Sequence, residues 1–368
     1  MKVVITGAGG FIGRNLCAAL DRIDGVEVNR VYSTTHRDVY SPWIKEADVI
    51  YHLAGVNRPK DPSEFVTGNT NFTKEIIEIA AEGGNVPTVV ISSTTQALKD
   101  NDYGKSKRAA EELIEEYASN GKIHGVIYRL PGVFGKWSRP NYNSVVSTFC
   151  HNMANELPLE VRDPSFALPL VYVDDVVQAF LSHLNNRFKG WENFEVTPVF
   201  NTTLGELADI ISSFPGLRES LHAPKVGKSL EKKLYSTYLS YLPSDNFSYP
   251  MEIKKDNRGD LFEWIKSEDF GQIFVSTTKP GITRGNHYHH TKTEKFLVIR
   301  GEAEICFRQI DSNHVITYKV NGSEPTVVDI PTGYTHNITN TGQTELITLF
   351  WANEIFDTER PDTHFLEV

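Results

Sequence analysis

The chain has 368 residues, with 47 acidic side chains against 37 basic ones and a formal net charge of −10. That balance excludes nucleic acid as the main partner, though not a small phosphorylated ligand held by a few local cations. Hydrophobic residues at 40% and charged residues at 23% are ordinary for a soluble globular protein, and the length exceeds what one core usually serves, so two domains are expected.

From the N-terminus, Val3–Thr6 reads as a buried strand, Gly13–Leu20 as a helix and Val26–Tyr32 as a second strand. Strands at Asp48–Leu53 and Pro87–Ser92 flank a helix over Asn71–Ala81. Short Val/Ile runs separated by helical patterns predict a doubly wound parallel sheet of the Rossmann type, so an α/β fold over residues 1–243. The stretch Leu242-Pro-Ser-Asp-Asn246 marks a boundary. Beyond it, residues 244–368 change rhythm, with short strands at Gln272–Thr277, Lys295–Val298, Ala303–Arg308, Thr326–Ile330 and Glu345–Phe350 between Gly, Pro, Asn and Asp turns. That pattern predicts an all-β sandwich or barrel. The Gly-rich start MKVVITGAGGFIG is unlike a signal peptide, and no run of about 18 apolar residues predicts a membrane span. Three dispersed cysteines, Cys17, Cys150 and Cys306, suggest neither a disulfide framework nor a Cys metal site, which fits a reduced, cytoplasmic enzyme.

Gly7-Ala-Gly-Gly10-Phe11-Ile12-Gly13 lies directly between a strand and a helix. Glycines there let the backbone approach a pyrophosphate, and the helix N-terminus offers free N–H groups and its positive end. The second strand runs into Ser33-Thr-Thr-His36-Arg37, with no acid to hold a ribose diol. Arg37 instead suits a 2′-phosphate, so the cofactor is expected to be NADPH. Tyr103 and Lys107, at i and i+4, share one face of a helix running to about Ser119. A lysine ammonium beside a phenol lets the tyrosine pass a proton to a carbonyl oxygen. Tyr288 and Lys292 repeat that spacing, so spacing alone decides little, but the strand ending in Ser92-Ser93-Thr94 just before Tyr103 supplies a hydroxyl to complete the set.

These motifs, with His52-Leu53-Ala54-Gly55, Arg129-Leu-Pro-Gly-Val-Phe-Gly135 and Tyr172-Val-Asp-Asp175, resemble the extended short-chain dehydrogenase/reductases that act on nucleotide sugars. The resemblance covers roughly residues 1–240. It implies Tyr103 as proton donor, Lys107 as its partner and Thr94 as third member, with Ser93 as runner-up. It implies cofactor contacts at Gly7, Gly10, Phe11, Ile12, Gly13, His36, Arg37, Leu53, Ala54 and Lys107. Two departures stand out: only eight residues separate Thr94 from Tyr103, and Gly132 replaces an Asn common in the family.

Near the other end, His287-x-His289-x4-Glu294 is followed by Pro331-x-Gly333-x2-His336, a pair of segments resembling the two-part signature of the cupins. His287 and His289 alternate by two and so share a strand face, where Glu294 and His336 can join them. Three imidazoles and a carboxylate suit Zn²⁺ and other divalent first-row metals. His290 is expected to face the other way.

The segments Asp256-Asn-Arg258-Gly259 and Arg284-Gly-Asn-His287 further resemble the dTDP-4-keto-6-deoxy-sugar 3,5-epimerases, which implies that Arg258 and Arg284 hold a pyrophosphate. That family's catalytic base maps onto His287, here also a metal ligand, so another proton carrier is needed. Lys254, Lys255, Tyr249 and Tyr334 are the candidates, and Lys254 is the one chosen. A 4-keto sugar nucleotide satisfies both halves, because its ketone acidifies the neighbouring C–H and also accepts hydride.

The whole chain resembles bifunctional enzymes of capsule and O-antigen precursor synthesis. That likeness implies a homodimer, zinc, and a UDP-4-keto-6-deoxy-N-acetylhexosamine substrate epimerised at C3 and then reduced at C4. Other readings are a single-function reductase with a structural or sensing cupin, a cupin dioxygenase, and a non-enzymatic NADP(H)-sensing regulator.

Overall fold

Runs of Val and Ile become strands at the centre of a sheet because branched side chains fill both of its faces. The computed structural model describes residues 1–185, 189–227 and 230–368. Contacts divide the chain into two units, Met1–Ser213 with Gly227–Pro243, and Phe214–Val226 with Ser244–Val368.

The first unit holds β1 (Lys2–Thr6), β2 (Glu27–Val31), β3 (Val49–His52), β4 (Thr88–Thr94), β5 (His124–Leu130), β6 (Gly132–Phe134), β7 (Ala167–Tyr172), β8 (Trp191–Phe194) and β9 (Phe200–Thr203). Its main sheet has the order β2-β1-β3-β4-β5-β8, and every pair is parallel. Alternate residues of a strand go to opposite faces. Val3 and Ile5 pack with Leu16, Val176 and Phe180, while Val4, Ile50, Val89 and Ile91 pack with Ile44, Ile76, Ile77 and Ile114. Helices therefore cover both faces, as the doubly wound prediction requires. Strand order reverses around β1 and β3, and such a switch point opens a crevice at the carboxyl ends of the strands. Gly7 follows β1 and Leu53 follows β3, so both loops lie at that crevice. β6, β7 and β9 form a small separate sheet.

Among its described residues the second unit is all β apart from the segment 214–226 and a 3₁₀ turn at Ser244–Asn246. It contains β10 (Lys254–Asp256), β11 (Gly259–Ser267), β12 (Gly271–Thr278), β13 (Thr283–Tyr288), β14 (Glu294–Arg300), β15 (Glu302–Gln309), β16 (Val315–Asn321), β17 (Val327–Ile330), β18 (Tyr334–Asn340), β19 (Leu346–Ala352) and β20 (His364–Phe365). Two antiparallel sheets, β10-β11-β12-β19-β14-β17 and β16-β15-β18-β13-β20, enclose a core of Phe296, Ile305, Phe307, Ile338 and Phe350. Phe274 stacks on Phe350 with ring centroids 4.8 Å apart. Residues 221–223 join β11, Lys266 N donating to Leu221 O and Ala223 N to Lys266 O, each at 2.8 Å. No composition shift in the sequence marks that excursion.

The ladder between β13 and β18 is irregular. It pairs Arg284 with Ile338 and His287 with His336, and the register shifts between Gly285 and His287. Asn286 is the extra residue, at φ +59°. Facing residues of an antiparallel pair share a face. Ile338 and His336 are both buried, so the bulge turns Arg284 and His287 to the same inner face despite their odd spacing. Among the described residues, no helix is long and apolar enough to cross a membrane.

Candidate active sites

In the first unit, the turn after β1 is built by contacts that exclude side chains. Gly7 has φ +69°, and a Cβ there would stand 2.7 Å from Ala54 N; one at Gly13 would stand 2.2 Å from Gly7 O. Gly10 N donates to Gly7 O at 2.9 Å, and the helix Phe11–Leu20 starts at once. The first-turn N–H groups of a helix lack intrahelical partners and face outward from its N-terminus, as an anionic ligand requires. Leu53 N donates to Thr6 O at 3.2 Å, and Ala54 N to Thr6 Oγ1 at 3.3 Å, which ties the second loop to the first.

Arg37, next to the helix cap His36, pairs through Nε with Glu75 at 3.1 Å, and Glu75 also accepts from the Tyr40 hydroxyl. Sequence reading missed a cleft of about 340 Å³ beside Gly9, lined by Arg14, Arg30, Tyr32 and Trp137. Arg14 lies over the Trp137 ring at 5.0 Å. Only the positive charge on Arg14, directly after Gly13, hinted at it.

The hydroxyls at the end of β4 have different partners. Ser93 is buried and donates to Glu111, which accepts a two-pronged pair from Arg129, one bond at 2.7 Å. Thr94 accepts from Gln96 N at 3.2 Å and caps a 3₁₀ turn, Thr95–Leu98. That turn spans half of the eight residues before Tyr103. Gly104 lets the following helix, Asp102–Ser119, pack against it, since a Cβ there would stand 2.3 Å from Gln96 O.

Tyr103, packed on Phe65 with centroids 5.6 Å apart, is pushed up by burial. The Lys107 ammonium donates to Ser92 O at 2.7 Å. Burial lowers it to about 8, with Glu111 opposing the shift. Burial is thus what moves Tyr103, and Lys107 is engaged with a β4 carbonyl.

In the second unit, His287 lies near the end of β13 and His289 just beyond it, His336 on the neighbouring β18, and Glu294 at the start of β14 in the facing sheet. One ligand atom from each of the four lies within 4.8 Å of all the others. Nε2 of His289 and of His336 stand 3.4 and 3.5 Å from Glu294 Oε2. Both nitrogens are buried and lack a hydrogen-bond partner. Buried polar atoms are normally satisfied, and here a divalent cation would satisfy them, so the residues fit a metal. Burial, helped by His336 and His289, lowers His287 to about 4 and keeps it the neutral imidazole a metal needs. Burial opposes ionisation of Glu294, but the flanking His289 and His336 overcome it and hold the carboxyl well below the usual range. His290 points away, its ring against Tyr288 and His364.

The two arginines come together through an acid. Arg258 holds Asp256 at 2.6 Å, and Arg284 reaches the same carboxylate at 3.8 Å while donating to Thr278 Oγ1 and Thr277 O. Arg258 and its neighbours hold Asp256 down at about 2. Lys254 is not brought to the metal ligands: it lies on the edge strand β10, with β11, β12 and β19 between it and β14, and its Nζ stands 3.6 Å from Glu263. Lys255 pairs with Asp260, and Tyr249 lies under Arg218. Tyr334, two residues before His336, packs against the core.

Residues 3–196 match the NAD dependent epimerase/dehydratase family, and residues 254–364 the polysaccharide biosynthesis C-terminal domain. The UDP-2-acetamido-2,6-beta-L-arabino-hexul-4-ose reductase of Pseudomonas aeruginosa is 44% identical over 100% of this chain and 99% of its own. The crystal structure of the capsular polysaccharide assembling protein CapF from Staphylococcus aureus is 44% identical with TM-score 0.91, covering 100% of both chains. A UDP-glucuronic acid 4-epimerase from Bacillus cereus, in complex with NAD, shares the fold at 20% identity and TM-score 0.56, over 66% of this chain and 98% of that one. The chain thus belongs to the NAD dependent epimerase/dehydratase family, carries a C-terminal polysaccharide biosynthesis domain, and is a close homologue of CapF.

Proposed function

We propose that the chain is a bifunctional nucleotide-sugar enzyme of capsule or O-antigen precursor synthesis. Its cupin unit epimerises C3 of a UDP-2-acetamido-2,6-dideoxy-4-hexulose, and its reductase unit then reduces the C4 ketone to UDP-N-acetyl-6-deoxy-L-talosamine. The observation that carries the reading is the four-residue ligand set in a chain whose other unit carries Tyr103 and Lys107 on one helix, with the Lys107 ammonium near Gly55. The Pseudomonas aeruginosa reductase, matched end to end, supports the ketone substrate. We assign it to the cytoplasm as a homodimer.

Zinc, held by His287, His289, Glu294 and His336, would supply Lewis-acid stabilisation of the charge that develops on the ketone oxygen. The residues around it do the rest. Arg258 and Arg284 bind the pyrophosphate and fix the sugar relative to the inner face. Of the four proton carriers considered, Tyr334 is the one beside His336 on the core side, so we assign it the C3 proton in place of Lys254. NADPH would supply the hydride in the first unit. Tyr103 gives its proton to the C4 oxygen, and Lys107 lies close to Gly55 at the crevice, where it can hold a ribose hydroxyl. Thr94 serves as third member, because Ser93 is committed to Glu111. Arg14 and Arg30 line the cleft beside Gly9, and with Arg37, which starts the helix after β2, they favour a 2′-phosphate, hence NADPH. Reduction removes the acidity at C3 and so fixes the epimerised product.

Proton NMR of the UDP-4-keto sugar in D₂O, with protein and without NADPH, tests this. Loss of the C3 proton signal, abolished by a chelator, is expected. Persistence of the signal while added NADPH is still consumed would leave a reductase with a structural cupin.

A further inference from the structure

The end of the chain runs across the two strands that carry the histidine ligands. β20 pairs with β13, His287 with Phe365 and Tyr288 with His364. Leu366 N donates to Asn286 O at 3.0 Å, and the Thr335 hydroxyl donates to Leu366 O. Lys292, buried, donates to Thr363 Oγ1 at 3.1 Å.

Within this strap, Asp362 has φ +35°, a conformation a non-glycine residue adopts only when its surroundings impose it. Its carboxylate accepts N–H bonds from His290 at 3.0 Å, Thr291 at 2.8 Å and Lys292 at 2.9 Å, and also the Thr291 hydroxyl at 2.9 Å. Its main-chain oxygen lies 2.6 Å from His289 Nδ1. All five contacts fall on the segment from His289 to Lys292, which links two metal ligands to a third, Glu294. An imidazole that donates Nδ1–H to a carbonyl must present its lone pair at Nε2. Nε2 of His289 is one of the two buried nitrogens without a hydrogen-bond partner that approach Glu294.

We propose that Asp362 is a positioning residue for the metal site: its carbonyl sets the tautomer and direction of His289, and its carboxylate fixes the loop 290–292 that joins His289 to Glu294. The C-terminal strap thereby completes the ligand set. The inference rests on the metal reading above. β20 pairs only two residues with β13, so it needs neither the strained turn nor the four-bond carboxylate.

Full-length wild type, Asp362→Ala and Asp362→Asn would each be stripped with a chelator, titrated with Co²⁺, then competed with Zn²⁺. Affinity and the visible Co²⁺ absorption band would be read together, with thermal unfolding of the apo-proteins as the fold check. Asp362→Ala is expected to weaken metal binding about 10- to 100-fold and to shift the band. Asp362→Asn keeps one acceptor oxygen and should fall between. An affinity within twofold of wild type, with the same band, overturns the proposal. So does weaker binding with an unaltered band that follows a loss of apo stability, because Asp362 would then only be structural. If the wild type itself binds neither ion, the metal reading falls and takes this proposal with it; if it binds and the variants match it, this proposal alone falls.

Discussion

Lys107 carries its ammonium into a site that water hardly reaches, and burial brings it down to about 8. If the charged form is needed to hold the cofactor, kcat/KM for reduction should be level below that pH and fall above it. Tyr103 does not set that limb, because burial moves the phenol upward, where it keeps its proton. A pH profile of NADPH oxidation checks this, and a rate level to pH 10 would remove Lys107 from the titrating role. Tyr103→Phe should cut reduction by about 10²- to 10⁴-fold and leave C3 deuterium exchange unchanged, because the two sets of residues lie in different units. Asp256 presents a third case. It neutralises both arginines assigned to the pyrophosphate, so it competes with the ligand. Calorimetry with UDP should show Asp256→Asn binding roughly 2- to 5-fold more tightly, a modest gain because the pair is exposed. Weaker binding would mean that the acid orders the arginines instead.

At the scale of elements, the bulge in β13 decides which side chains meet. Gly285 has φ +103°, and a Cβ there would stand 2.8 Å from His336 O. Gly285→Ala should therefore lower cupin stability by about 1–3 kcal/mol and weaken metal binding, read by thermal unfolding and metal titration. The strands of the first unit were legible because Val/Ile runs bounded by Gly and Ser admit few other structures. Their division into two cores, Val3 and Ile5 on one side and Val4 on the other, follows from alternation alone. The bulge was not legible, since Asn286 differs from any loop asparagine only in being the residue left out of the β13–β18 pairing. Alternation predicted a shared face for His287 and His289, but it would have put Arg284 on the opposite one. Asp362 was hidden for a related reason: most of its partners are main-chain N–H groups, which leave no mark on residue identity. The short gap before Tyr103 looked like a departure, and the 3₁₀ turn with Gly104 packed against it explains how so few residues suffice.

For the whole molecule, each unit contains every residue assigned to its own reaction: Tyr103 and Lys107 in one, the four metal ligands with Arg258 and Arg284 in the other. A mixture of Tyr103→Phe with His289→Ala protein should therefore convert substrate to reduced product, although either variant alone does not. NADPH consumption by the mixture, compared with each variant alone, measures this. A silent mixture would mean that the intermediate never leaves the chain that made it.

The single inserted residue at Asn286 also bears on how such proteins should be compared. Deleting it would leave every letter of the histidine motif intact and restore plain alternation, with Arg284 and His287 two apart and still on one face. A relative lengthened there by one further position would still be recognised as a metal-binding cupin, yet alternation would turn its arginine outward and cost it half of its proposed grip on the diphosphate. Counting residues between Arg284 and His287 is thus a sharper guide to shared substrate than the histidines themselves.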